Sequence, residues 1–170
     1  MSMSASILPQ FDQIIQGTRQ HLAVIPDDRL GWKPHDKSWE VGTLGSHLAN
    51  IPQWVMATLG QDSLDVAPVE GDGTGTIEPL GSADEMVAAL DQNAEQARAM
   101  IGSTSDQAFM SPWTLLVGGE ERFTMPKIAT LRVFVMDHMI HHRGQLTVYL
   151  RLLDVPVPQT FGPTADFPDF

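Results

Sequence analysis

Apolar residues recur at spacings of three and four in four stretches of the chain, and each stretch predicts an amphipathic helix. In the first, Ile7, Phe11, Ile14, Thr18, Leu22 and Ile25 share one face, which predicts a helix over about 5–26 closed by Pro26 and Asp27-Asp28. Val41, Leu44, Leu48, Ile51 and Val55 form the second stripe and predict a helix over about 40–60. Ser38 is its candidate N-cap, and Glu40 suits the positive end of the helix dipole. The third helix, over about 82–102, opens on Ser82-Ala83-Asp84-Glu85, a pattern in which side chain and backbone cap each other. Its stripe is Val87, Leu90, Ala94, Ala97 and Ile101, and the charges of Asp84, Glu85, Asp91, Glu95 and Arg98 fall off it. The fourth, over about 126–154, is the longest, with Thr124 as candidate cap and Pro126 in the first turn. Its apolar positions are dense enough to predict burial on more than one side.

The segments between these stripes are less regular. Gln61 to Gly81 has almost no periodicity, and so long a loop in a compact domain predicts a crossing or a functional cover. Its Asp72-Gly73-Thr74-Gly75 run lacks the alternating ligands of a calcium loop and reads as a turn. Trp113 to Val117, Gly118-Gly119 and Glu120 to Phe123 read as a small β-hairpin. The Pro-rich tail, 155–170, is expected to run extended along the surface. The whole predicts one all-α domain over 1–170, a four-helix bundle with a long crossover connection and a small β-hairpin before the last helix. An irregular α+β fold with a larger hairpin region is the competing reading. Pro52 stands inside the second helix, where it cannot bond the carbonyl of Leu48, and predicts a bend that is either architecture or room for a substrate.

Composition narrows the function. With 170 residues, 42% of them hydrophobic, the chain suits a single core. Ten basic against 21 acidic residues give a net charge of -11, and no Lys/Arg cluster overrides that field, which argues against nucleic-acid binding. The absence of cysteine excludes disulfides, thiolate ligands and a Cys nucleophile. No basic, apolar leader opens the sequence, and no run reaches the ~18 apolar residues of a membrane span. A cytoplasmic protein with no membrane partner is therefore expected.

Three of the six histidines lie in His138-Met139-Ile140-His141-His142-Arg143-Gly144-Gln145. Residues four apart on a helix sit on one face, so His138 and His142 could share an ion, with a third ligand from another helix. His47 qualifies, beside Leu44, Leu48 and Ile51 on the inward half of the second helix. Periodicity leaves His141 and His142 both open: Ile128, Leu131, Val135, His138, His142 and Gln145 form one stripe, and Leu131, Phe134, His138, His141, Gln145 and Val148 another. A lone inward histidine is ordinarily a core group bonded to a carbonyl. Several together cost about 1–3 kcal/mol each without partners, a cost that a shared ion removes. His21 and His35 read as surface groups. Asp137 lies about 100° around the helix from His138 and does not share its ion. Arg143 and Gln145 read as ties between helices, and Trp32, Trp39, Trp54 and Trp113 as packing. No nucleophile-elbow, P-loop or dinucleotide motif is present.

The Arg29-Leu30-Gly31-Trp32-Lys33-Pro34 segment, Ser38-Trp39 and Leu44 to Leu48 around His47 resemble the opening of DinB/YfiT-like proteins. The run from His138 to Gln145 resembles their second signature, and Val155 to Pro158 with Gly162 to Asp166 resembles the tail that follows it. The resemblance implies a four-helix bundle with a three-histidine metal site at His47, His138 and His142, setting His141 aside as a ligand. Family members include thiol-dependent transferases and isomerases, metal-dependent hydrolases and proteins of no known activity. One divalent ion is thus expected, zinc or nickel foremost, then iron or manganese. A small-molecule substrate, a low-molecular-weight thiol as cosubstrate and a homodimer accompany that expectation. Three imidazoles leave coordination positions open, as in catalytic sites. Such a site can acidify water or hold a small thiol as thiolate. A non-catalytic metal-binding or stress-response protein is the alternative.

Overall fold

The computed structural model describes residues 2–68 and 78–169. Helix α1 (Met3–Leu22) starts where Ser2 Oγ accepts the Ala5 N–H, and it buries Ile7, Phe11, Ile14 and Leu22. A 3-10 turn over Asp27–Arg29 leads towards α2 (Val41–Asn50). The helix expected over 40–60 is in fact broken. Pro52 has no N–H to continue the ladder, so α2 ends at Asn50 and a 3-10 turn over Ile51–Gln53 follows, then α3 (Trp54–Gly60). The expected bend within one helix is therefore corrected to a break before Pro52. Ser38 does not cap α2; the N-cap is Glu40, with no side-chain bond.

Within the long connection lies β1 (Ser63–Asp65), a strand of three residues that no periodicity announces. The Asp72 to Gly75 turn lies outside the described residues. Helix α4 (Ala83–Ser103) is capped as its sequence predicts: Ser82 Oγ accepts the Glu85 N–H, and Glu85 Oε2 accepts the N–H of Gly81. A short α5 (Asp106–Met110), too brief to read from a stripe, precedes the hairpin of β2 (Pro112–Val117) and β3 (Glu120–Pro126). Gly118 and Gly119 have φ of 64° and 79°, the left-handed conformation that a two-residue hairpin turn requires. Strands β2 and β3 pair antiparallel, Trp113 opposite Met125 and Leu115 opposite Phe123, with a bulge between Leu115 and Leu116. β1 pairs parallel to β2, and the Asp65 carboxylate accepts the Gly118 and Gly119 N–H groups, tying β1 to the turn. The all-α expectation is accordingly corrected to a predominantly helical fold with a three-stranded sheet.

The last helical run is also composite. It comprises α6 (Lys127–Leu131), a π turn over Arg132–Asp137 and α7 (His138–Leu152). Thr124 lies in β3 and caps nothing; Pro126 stands at the helix N-cap. Helix α1 packs on α4 and α7, and α2 packs on the same two, so the four close a ring around a shared apolar interior. Phe11, Leu22, Leu44, Leu48, Met86, Leu90, Ile101, Leu131, Leu146 and Leu150 fill it, each fully buried large side chain contributing about 1.5–3 kcal/mol. The α2–α7 contact is what brings the two histidine-bearing segments together. The tail is less superficial than expected: Val157 is buried, its N–H bonded to Asp166, which also pairs with Arg151. No helix among the described residues is long and apolar enough to cross a membrane.

Candidate metal centre

On α7 the buried stripe runs through Met139, Arg143, Leu146 and Leu150. His138 and His142 each precede a member of that stripe by one residue and therefore stand on its flank, half-buried. His47, near the C-terminal end of α2, is likewise half-buried. The three meet: His47 Nε2 lies 3.2 Å from His138 Nε2, which lies 2.7 Å from His142 Nε2. One nitrogen from each falls within 4.8 Å of the others, a grouping that could hold a metal ion. His141, on the neighbouring position, is exposed and outside that group, though its ring centroid is 4.9 Å from that of His142. Asp137 is exposed and outside it too.

The hydrogen bonds behind the rings fix their protonation. His138 Nδ1–H donates to the carbonyl of Phe134 at 3.3 Å, and His142 Nδ1–H donates to Gln145 Oε1 at 2.7 Å. A neutral imidazole carries one N–H, so Nε2 of both rings is a bare lone pair. Two lone pairs facing each other at 2.7 Å repel unless a cation lies between them. A proton could serve, but burial, aided by the neighbouring imidazoles, pushes all three pKa values below the ordinary 6.5, that of His47 to about 4. At neutral pH the proton is absent, and the donor set fits a divalent cation. Carbonyl-type acceptors behind metal-facing imidazoles are the usual orienting arrangement.

Trp39, in the segment before α2, closes one side. Its ring stacks on His142 at 5.7 Å and 17°, meets His47 edge-on at 5.2 Å, and is 48% exposed. Read from sequence as packing, it belongs to the wall of this centre, and nothing in its local pattern signals that. Gln145, read as a tie between helices, is instead bonded to His142 within α7, three residues away on one helical face. Trp113 packs as expected, buried with its Nε1–H bonded to the Ala57 carbonyl. Arg143 ties α7 to α1 through the Ile14 carbonyl. His35 is exposed, but His21 corrects the expectation of a surface group: it is wholly buried between α1 and its neighbours. The α1 stripe has Thr18 and Leu22 on either side of it, and His21 shares their inward half.

Several solved structures share the fold. A DinB-like protein from Bacillus cereus superimposes with a TM-score of 0.70 at 20% identity, covering 91% of this chain and 95% of its own. The DinB-like protein YjoA from Bacillus subtilis gives 0.67 at 18% identity, covering 91% and 97%. YfiT from Bacillus subtilis, described as a probable metal-dependent hydrolase with an unusual four-helix bundle topology, gives 0.66 at 16% identity, covering 91% of both chains. No protein of curated function matches the sequence. The profile of the DinB superfamily matches residues 10–146, most of the length over which these folds coincide, and the chain belongs to that superfamily.

Proposed function

We propose that the chain is a metal-dependent enzyme acting on a small molecule, with His47, His138 and His142 holding one divalent ion and hydrolysis as its reaction. The convergence of the three Nε2 atoms, two of them left bare by the bonds at Nδ1, carries this reading. The likeness to YfiT favours hydrolysis over transfer. A divalent ion bound there supplies a Lewis acid able to acidify water or a small thiol near neutral pH. The chain's own groups orient that ion and shape its surroundings. Phe134 and Gln145 hold two of the rings in one tautomer, and Trp39 shields the face of His142 from water. Three protein ligands, where structural sites use four, leave room for substrate.

The test is metal analysis of untagged protein followed by assay of the zinc-loaded form. The panel comprises small esters and amides, and small electrophiles with and without a low-molecular-weight thiol. One ion per chain and hydrolysis lost on chelation are expected. Turnover only in the presence of thiol would replace hydrolysis with a transferase reaction, and a protein that retains no ion would end the proposal.

A further inference from the structure

Of the four tryptophans, Trp113 is fully buried, Trp32 and Trp54 are half-buried, and Trp39 is exposed, at 48%. A single exposed apolar side chain is ordinary on a protein surface. Trp39 differs in where it stands and in how firmly it is held. Its ring lies against two of the three clustered imidazoles, face-on to His142 and edge-on to His47. The backbone that carries it doubles back on itself: the Val41 N–H donates to the Trp32 carbonyl at 2.8 Å, and the Gly42 N–H to the Leu30 carbonyl at 2.9 Å. Gly42 permits that approach, since a Cβ there would stand 3.0 Å from the Leu30 carbonyl oxygen. Within the loop, the Ser38 N–H donates to the His35 carbonyl at 2.9 Å and the Lys37 N–H to His35 Nδ1 at 3.1 Å. The other end of the loop also rests on α7, where Trp32 meets Tyr149 edge-on at 5.8 Å. Tyr149 continues the helical row of His138, His142 and Gln145, so the loop is fixed along that row at both ends.

Packing against the imidazoles accounts for the covered part of the indole and leaves the rest in water at the rim of the centre. A tryptophan that served packing alone would gain by turning inward, because covering an indole removes about 150–250 Å² from water. The closed loop holds it at the rim instead. An aromatic face fixed in this way is pre-organised, and binding against it costs little further ordering. Such a face takes either a cationic group or another flat apolar one. A divalent ion held by the adjoining histidines repels a cationic group, which leaves the flat, uncharged one. This step rests on the reading of His47, His138 and His142 as metal ligands. We infer that Trp39 is a specificity-determining residue of that site, and that the substrate carries an aromatic ring beside the atoms that meet the ion.

The experiment uses the zinc-loaded full chain, its zinc content measured first, and three hydroxamates that share one zinc-binding group and carry phenyl, cyclohexyl or methyl. Benzohydroxamate should bind about tenfold more tightly than acetohydroxamate, the value of one aromatic pair with its buried area. It should also bind more tightly than the cyclohexyl compound. In ¹⁵N spectra it should shift the indole N–H signal of Trp39, identified by its loss in Trp39→Phe. Trp39→Ala should cut the preference for phenyl over methyl to about twofold, and Trp39→Phe should keep most of it. The wild-type spectra and the Phe variant decide the matter if the Ala variant does not fold. Four results would each overturn the inference and leave the metal site standing. They are equal affinity for the phenyl and methyl compounds, a cyclohexyl compound bound as tightly as the phenyl one, an undisturbed Trp39 signal, and a preference that survives Trp39→Ala. A protein that takes up no zinc, or takes it up and binds no hydroxamate, would end both readings.

Discussion

His142 is held on three sides: by Gln145 at Nδ1, by the stacked face of Trp39 and by the edge of His141. These contacts rank the residues around it. His142→Ala should abolish stoichiometric zinc binding, as should His47→Ala and His138→Ala, because two imidazoles rarely retain an ion. Gln145→Leu removes only the orienting acceptor and should weaken affinity about ten- to hundredfold. His141→Ala, which removes an exposed ring, should change it only a few-fold. Competition against a chromophoric chelator measures all five. An His141 variant that lost the ion while the His142 variant kept it would reverse the assignment. Spacing along the helix leaves His141 and His142 equivalent; the structure separates them because α7 buries Met139 and Arg143, which turns His142 towards α2 and His141 to solvent.

At the scale of elements, the site depends on how closely α2 approaches its neighbours. Gly45, two residues before His47, makes the approach possible: a Cβ there would lie 2.6 Å from Met86 Sδ on α4 and 2.8 Å from Ile25 Cδ1. Gly45→Ala should therefore destabilise the fold by about 1–3 kcal/mol despite the better helix propensity of alanine, since overpacking a closed core exceeds that gain. Urea denaturation at fixed pH reads the loss, and a variant as stable as the wild type would show that the core yields there. The stripes of α1, α2 and α4 follow from periodicity. The breaks do not: Pro52 announces an interruption without saying whether the helix bends or stops. The π turn before His138 has no proline or glycine to mark it. That turn supplies the Phe134 carbonyl that orients His138, and such irregular turns recur at functional sites.

For the whole molecule, the site couples metal, protons and stability. In metal-free protein the pKa values of His47, His138 and His142, and of buried His21, are lowered mainly by burial, His47 to about 4. The unfolded chain takes up protons near ~6.5, where these folded imidazoles do not. Unfolding thus binds protons in that window, so stability falls as pH drops from about 6.5 towards 4 and is unaffected by these groups above 7. The urea midpoint of chelator-treated protein between pH 7 and 5 checks the sign, and His47→Gln should flatten the decline. A midpoint that rises on acidification would mean the imidazoles gain protons on folding. Zinc should add about 2.7 kcal/mol to the stability by mass action at a hundredfold excess over Kd, and so raise the midpoint.

What depends on neighbours along the chain is legible in the sequence alone. The helical stripes, the Ser82 cap, the Gly118-Gly119 turn and the one-face spacing of His138 and His142 all arise from backbone periods and local bonds. The motif resemblance added the family and its expected ligand set. What depends on residues distant in sequence was not legible. Strand β1 exists because β2 and Asp65 hold it, and three residues of pattern cannot declare a strand. His21 is buried because α1 turns it inward, and Trp39 belongs to the histidine cluster because α2 and α7 meet beside it. Burial and long-range contact are properties of packing, and a linear pattern specifies which faces are apolar without specifying what each face meets.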